Sequence, residues 1–207
     1  MQAVRHTLDP LQARLPAFSV DWRFLLPLRP GARMLVLVSG AQDAVPFFGE
    51  LGLNVTTWDM GLLATAKLPL ASGRFDVVAS PFGVPAGLLE ASLLSDLLEP
   101  EGSLLIGFSN SRGFRRRPES GLAAHSLPSI LRRLRALGMQ VSGVYGAVPG
   151  LRKPAYILPL RPQALSFFIQ HHYHSRRLAP LLRLLSLPFF SMSLSHFLPA
   201  YFVVATG

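Results

Sequence analysis

Apolar residues along this chain fall into short unbroken runs, separated by stretches in which they recur with helical spacing. "MLVLV" (34–38) is a continuous apolar run of the kind a central parallel strand shows, buried on both faces. "NVTTWD" (54–59), the run at 75–80 within "GRFDVVASPF", "GSLLIGFS" (102–109), "MQVSGVYG" (139–146) and "AYFVVA" (200–205) read as further strands. Between them, "AVPFFGELG" predicts a short helix ended by Gly52, and "LLEASLLSDLLEP" a helix with Leu89, Leu93, Leu94 and Leu97 on one stripe. Ser126 is placed to cap a helix carrying Ile130, Leu131, Leu134 and Leu137, stopped by Gly138. Strands alternating with helices predict an α/β fold, a Rossmann-like and mostly parallel sheet with helices on both faces. No internal repeat is present.

The pattern changes from Ala147 onward. "VPGLRKPAYILPLRP" is broken by prolines around one short apolar segment. "QALSFFIQHHYHSRR" spaces Leu165, Phe168, Ile169 and His172 as one face of an amphipathic helix with a basic end, and "LAPLLRLLSLPFF" reads as a second short helix. The expected organisation is a lead-in over 1–32, a core over 33–146, a helical insertion or lid over 147–198, and a terminal strand over 199–207 that returns to the sheet. The uncharged stretch "LLSLPFFSMSLSHFLPAYFVVA" is long enough to raise a membrane span. Pro188, His196, Pro199 and the serines argue against it. An apolar cover over 161–198, for substrate, membrane surface or partner protein, fits better.

Composition narrows this picture modestly. Of 207 residues, 50% are hydrophobic and 15% charged, which excludes a disordered chain, and there is no cysteine, which excludes disulfides and thiolate metal sites. The first residues lack the apolar core of a signal peptide, so a cytoplasmic location is expected, with membrane association left open. A net charge of +9 favours anionic partners. Much of it sits in "SRGFRRRPES" and "LRRLRALG", where only Phe114 interleaves with the arginines, so nucleic acid is disfavoured. His171 and His174 lie one turn apart in "QHHYHSRR", yet no carboxylate or cysteine nearby completes a metal site.

Four segments together resemble a class I S-adenosylmethionine-dependent methyltransferase. "LVLVSGAQDA" stands where that family has a strand followed by a glycine-rich turn, and "TTWDM" ends a second strand with Asp59, nineteen positions after Gly40. "LPLASGRFDVVASPF" and "LLEPEGSLLIGFSN" are similar to the family's fourth- and fifth-strand segments. "LRALGMQVSGVYG" then resembles the family's next helix, its stop glycine and its sixth strand. The resemblance spans about residues 20–146 plus the terminal strand. It implies a seven-stranded sheet and S-adenosylmethionine as cofactor. Gly40, Ala41, Gln42, Asp59 and Met60 would surround that cofactor, with Ser80, Pro81 and Phe82 flanking it. A turn at Gly40 lets the backbone approach a ligand, and Asp59 can accept from both ribose hydroxyls, although either residue also serves an ordinary turn or cap.

The chain departs from the family's pattern at four positions. Val38 replaces an acid on the first strand, Gln42 replaces the second glycine, and Ala64 replaces the acid that meets the adenine; Ala44 stands for the third glycine. Asp43 either answers the cofactor's ammonium or caps the next helix. His125 in "GLAAHSLPS" is the candidate base, its alternative being a half-buried neighbour of the Ser126 cap. Tyr145 and Tyr156 are candidates for the acceptor pocket. Two functions are open on these residues. One is methyl transfer, most readily to oxygen, on a small apolar or lipid-like acceptor; the other is a methyltransferase-like binding or assembly protein without the activity.

Overall fold

The computed structural model describes residues 20–38, 52–59, 73–84, 89, 97–112, 124–172 and 196–207. These contain one seven-stranded sheet: β1 (Arg33–Val38), β2 (Asn54–Asp59), β3 (Phe75–Ser80), β4 (Leu98–Ser109), β5 (Gln140–Val148), β6 (Tyr156–Pro159) and β7 (Ala200–Thr206). Their spatial order is β2-β1-β3-β4-β7-β5-β6. β2, β1, β3 and β4 are mutually parallel, β7 runs antiparallel to both β4 and β5, and β6 runs antiparallel to β5. The seventh strand, β6, comes from the short apolar segment "YILP" inside the stretch read as an insertion. The helices expected around 45–51 and 88–97 lie largely outside the described residues, although Leu97 itself is fully buried.

The continuous apolar runs are explained by burial on both faces. In β1, Leu35 and Leu37 enter one core cluster while Met34 and Val36 enter the other, and all four are inaccessible. β7 repeats the division, with Tyr201, Val203 and Ala205 on one side and Ala200, Phe202 and Val204 on the other. Period-two alternation sends successive side chains to opposite faces, so a strand covered twice must be apolar throughout.

Helix α1 (Leu127–Ala136) covers the first face with Leu127, Ile130 and Leu134. Ser126 caps it, its hydroxyl accepting from the Ser129 N–H at 3.4 Å. At the other end Gly138, at φ +76°, donates to Arg135 O, and Met139 donates to Leu134 O. This pair of bonds is a Schellman stop, which needs a left-handed residue at Gly138 and packs Met139 back into the Leu134 cluster. On the opposite face, Trp22 of the short 3₁₀ turn Trp22–Leu25 packs with Leu26, Leu151 and Ala147. Helix α2 (Pro162–His172) buries Leu165 and Ile169, leaves Phe168 half-buried, and exposes Phe167.

β4 begins earlier than its apolar run. Leu98 already pairs with Phe75, but the next partners are Val77 and Ser103, so Glu99–Gly102 bulges out of register. Gly102 permits that bulge, since a Cβ there would lie 2.8 Å from the Leu98 side chain.

Candidate functional site

Parallel strands put their carboxyl ends at one edge of the sheet, and here those ends are Val38, Asp59, Ser80 and Ser109. β1 is flanked by β2 on one side and β3 on the other. The strand order therefore reverses at β1, the place where open α/β sheets take their ligands. Asp59 is level with Val38, and Ser80 stands one residue back, level with Leu37 by continuation of the β1–β3 register. Two strand spacings separate them, roughly 10 Å. Asp59 is half-buried at the end of β2.

The turn after β3 is built tightly. The fully buried Ser80 hydroxyl donates to Gly83 O at 2.5 Å, and Pro81 is buried. A Cβ on Gly107 would come within 2.0 Å of Pro81 O, so β4 admits this backbone crossing only because Gly107 has no side chain. Phe82 comes next, packed against the second core cluster with the Arg152 guanidinium 5.7 Å from its ring centroid. Ser80 thus has its hydroxyl committed to shaping the turn, and Phe82 is the member of this group that borders the open edge.

His125 lies beyond the carboxyl end of β4. It forms an isolated parallel bridge with Asn110, donating from its backbone N–H to Ser109 O while its carbonyl accepts from Ser111. Its ring meets Phe108 edge-on at 6.5 Å. Partial burial, and then the positive charge of Arg133, hold its pKa below the usual 6.5, so the imidazole is biased toward the neutral form a base requires. Tyr145 fills the space over Gly143, where a Cβ would come within 2.6 Å of its ring. Tyr156 is partly exposed and meets Phe168 edge-on at 5.1 Å. Gly40, Ala41, Gln42 and Met60 lie outside the described residues, as do Asp43, Ala64 and His174.

Two residues at this edge carry weight that the sequence pattern did not signal. Asn110, 3% exposed, donates from Nδ2 to His196 O (2.7 Å), Leu198 O (2.8 Å) and Tyr201 Oη (3.1 Å), and Oδ1 accepts from the Arg112 N–H (3.1 Å). It pins the segment entering β7 against the end of β4. Burial pushes the Tyr201 hydroxyl up to about 12, partly offset by the bond from Asn110. Trp58, next to Asp59, packs on the first core cluster, and its buried Nε1 has no hydrogen-bond partner among the described residues.

A cleft of about 430 Å³ opens at the opposite edge, lined by Arg29, Asp76, Glu99 and Glu101 among others. It sits at the amino ends of the strands, where open α/β sheets do not bind their ligands, and one Asp76 oxygen is engaged by the Arg33 N–H at 2.8 Å. Among the described residues, no group of three or more His, Asp or Glu is placed to hold a metal ion, and no helix is long and apolar enough to cross a membrane.

No protein-family model matches the chain, and no curated protein matches it in sequence. Its fold is similar to that of several solved methyltransferases. One is an S-adenosylmethionine-dependent methyltransferase from Archaeoglobus fulgidus, at 16% identity and TM-score 0.48 over 86% of both chains. Another, from Geobacter sulfurreducens in complex with S-adenosyl-L-homocysteine, has 17% identity and TM-score 0.42 over 87% of this chain and 86% of the other. A third, phosphoethanolamine N-methyltransferase 2 from Haemonchus contortus, has 18% identity and TM-score 0.45, covering 89% of this chain and 50% of that one. These likenesses concern chain course alone.

Proposed function

We propose that the protein is an S-adenosylmethionine-dependent methyltransferase acting on a small apolar or lipid-like acceptor, with oxygen as the methylated atom. The observation that carries this reading is Asp59, a half-buried carboxylate ending β2 level with the end of β1, where the strand order reverses. A carboxylate there suits the paired hydroxyls of a ribose, and the bonds are charge-assisted. In this reading Gly40, Ala41 and Gln42 line the turn after β1, Met60 comes directly after the acid, and Phe82 closes the site from β3. The cofactor supplies an electrophilic methyl group; the chain's own part is to hold the acceptor oxygen in line and remove its proton, and His125 is the base assigned to that step. Residues 161–198 are assigned as the cover over the acceptor. Its exposed Phe167 and Phe197, with Arg161 ahead of α2, suit an apolar acceptor or a membrane surface.

Calorimetric titration with S-adenosylmethionine and S-adenosylhomocysteine tests the reading directly. Binding in the micromolar range is expected, and Asp59→Ala should weaken it about 10- to 100-fold through loss of a charge-assisted contact. A folded wild type that binds neither compound below millimolar concentration would refute the enzyme reading and leave a methyltransferase-like binding module, consistent with Val38, Gln42 and Ala64.

A further inference from the structure

The pairing of Val148 with Tyr156 places residues 149–155 beyond the carboxyl end of β5, at the same edge as Asp59 and Phe82. This loop is held at several points. The Ala155 N–H donates to Val148 O at 2.8 Å, the Val20 N–H donates to Pro154 O at 2.8 Å, and Leu151, 1% exposed, is sunk in the second core cluster. With Leu151 and Pro154 turned inward, Arg152 and Lys153 between them face outward. The Arg152 guanidinium rests 5.7 Å from the Phe82 ring centroid, bridging the rim from the end of β5 to the turn after β3. Phe82 is itself fixed, because Pro81 lies against Gly107 and Ser80 closes the turn.

Charge is distributed unevenly between the two edges. Among the described residues at the carboxyl edge the cations are Arg112, Arg152 and Lys153, the ion pair of Asp21 with Arg23 follows Val20 beside the loop, and Asp59 lies on the far side of β1. Asp76, Glu99 and Glu101, together with Arg29, line the cleft at the other edge. A compound lying over the ends of β3, β4 and β5 therefore meets positive charge. A guanidinium already docked on a ring also loses less freedom when its N–H fork closes on a planar or tetrahedral oxyanion.

We infer that Arg152, stacked on Phe82 at the mouth of the site, binds an oxyanion group, carboxylate or phosphate, carried by the otherwise apolar acceptor. The acceptor role rests on the methyltransferase reading; oxyanion binding at Arg152 does not. The probes are decanoate, decyl phosphate and decanol, with inorganic phosphate as the headgroup alone, titrated into the full chain at low and high salt. Both anionic probes should bind more tightly than decanol at low salt, and the preference should shrink as salt screens it. Arg152→Gln should weaken the anionic probes about fivefold and leave decanol unchanged, the modest factor reflecting an exposed cation; Arg152→Lys should fall between. A melting temperature equal to wild type certifies that the variants are folded, as expected for an outward side chain.

Equal affinity for decanol and decanoate, or undiminished anion binding by Arg152→Gln, would overturn the inference. Inorganic phosphate binding as tightly as decyl phosphate would make this a free-phosphate site and overturn the acceptor assignment. S-adenosylhomocysteine is titrated into the same variants. A loss that falls on it rather than on the anionic probes would move Arg152 to the cofactor's carboxylate and likewise overturn the inference. A wild type that fails to bind S-adenosylhomocysteine yet keeps an Arg152-dependent anion preference sinks the methyltransferase reading and supports the oxyanion site.

Discussion

Asn110→Ala should unpin the segment that enters β7. Asn110 is 3% exposed, and its amide serves three acceptors and one donor: His196 O, Leu198 O, Tyr201 Oη and the Arg112 N–H. Each such bond contributes about 0.5–1.5 kcal/mol net. The four do not simply add. His196 and Arg112 are exposed, so water can take over their backbone groups, whereas Leu198 is half-buried and Tyr201 buried, and their oxygens would be left unsatisfied. The expected cost is about 2–4 kcal/mol. For a chain of this size each kcal/mol lowers Tm by about 2–4 °C, so the variant should melt roughly 5–15 °C below wild type. Asn110→Asp is the sharper version, because it keeps the shape but sets a carboxylate oxygen against two backbone carbonyls, and it should be at least as harmful at neutral pH. Circular dichroism melts read both. An Asn110→Ala protein melting within about 2 °C of wild type would show that these contacts carry little stability, and the clip would be refuted.

Gly107→Ala should cost more than about 3 kcal/mol or prevent folding, since a Cβ 2.0 Å from Pro81 O forces backbone apart; urea denaturation measures it, and a loss below about 1 kcal/mol would contradict the close crossing. Tyr201 stabilises the fold while its hydroxyl is neutral. Because burial raises its pKa from 10.0 to about 12, that contribution is whole below pH 10 and is lost as pH rises through about 12, so Tyr201→Phe should lack this part of the alkaline destabilisation. His125 has the opposite dependence. Its pKa lies below 6.5, so its contribution is present above that value and is lost as pH falls through the folded pKa. Ring-proton NMR should locate the titration below 6.5, and Arg133→Gln should move it upward; no movement would exclude the charge of Arg133 as a cause.

Much of the fold is written in local periodicity. Met34–Val38 must be covered twice because no polar face exists, and the stripe of Ile130 and Leu134 between Ser126 and Gly138 can only be a helix with those ends. The place of Asp59 is legible too, as an acid closing the strand run that becomes β2. The edge strand β6 is harder to read, because four residues set among prolines carry little pattern, and its pairing with β5 supplies the hydrogen bonds that make it a strand. Contacts between distant segments leave no local trace at all. Asn110 binds carbonyls 86 and 88 positions away, and Gly107 is required by a backbone crossing from the end of β3. Arg152 reads as one basic residue among many until the sheet brings the loop after β5 to the turn after β3. Side-chain periodicity reports which face a residue shows to its own element, whereas the partner it meets there is chosen by strand order, which tertiary packing decides.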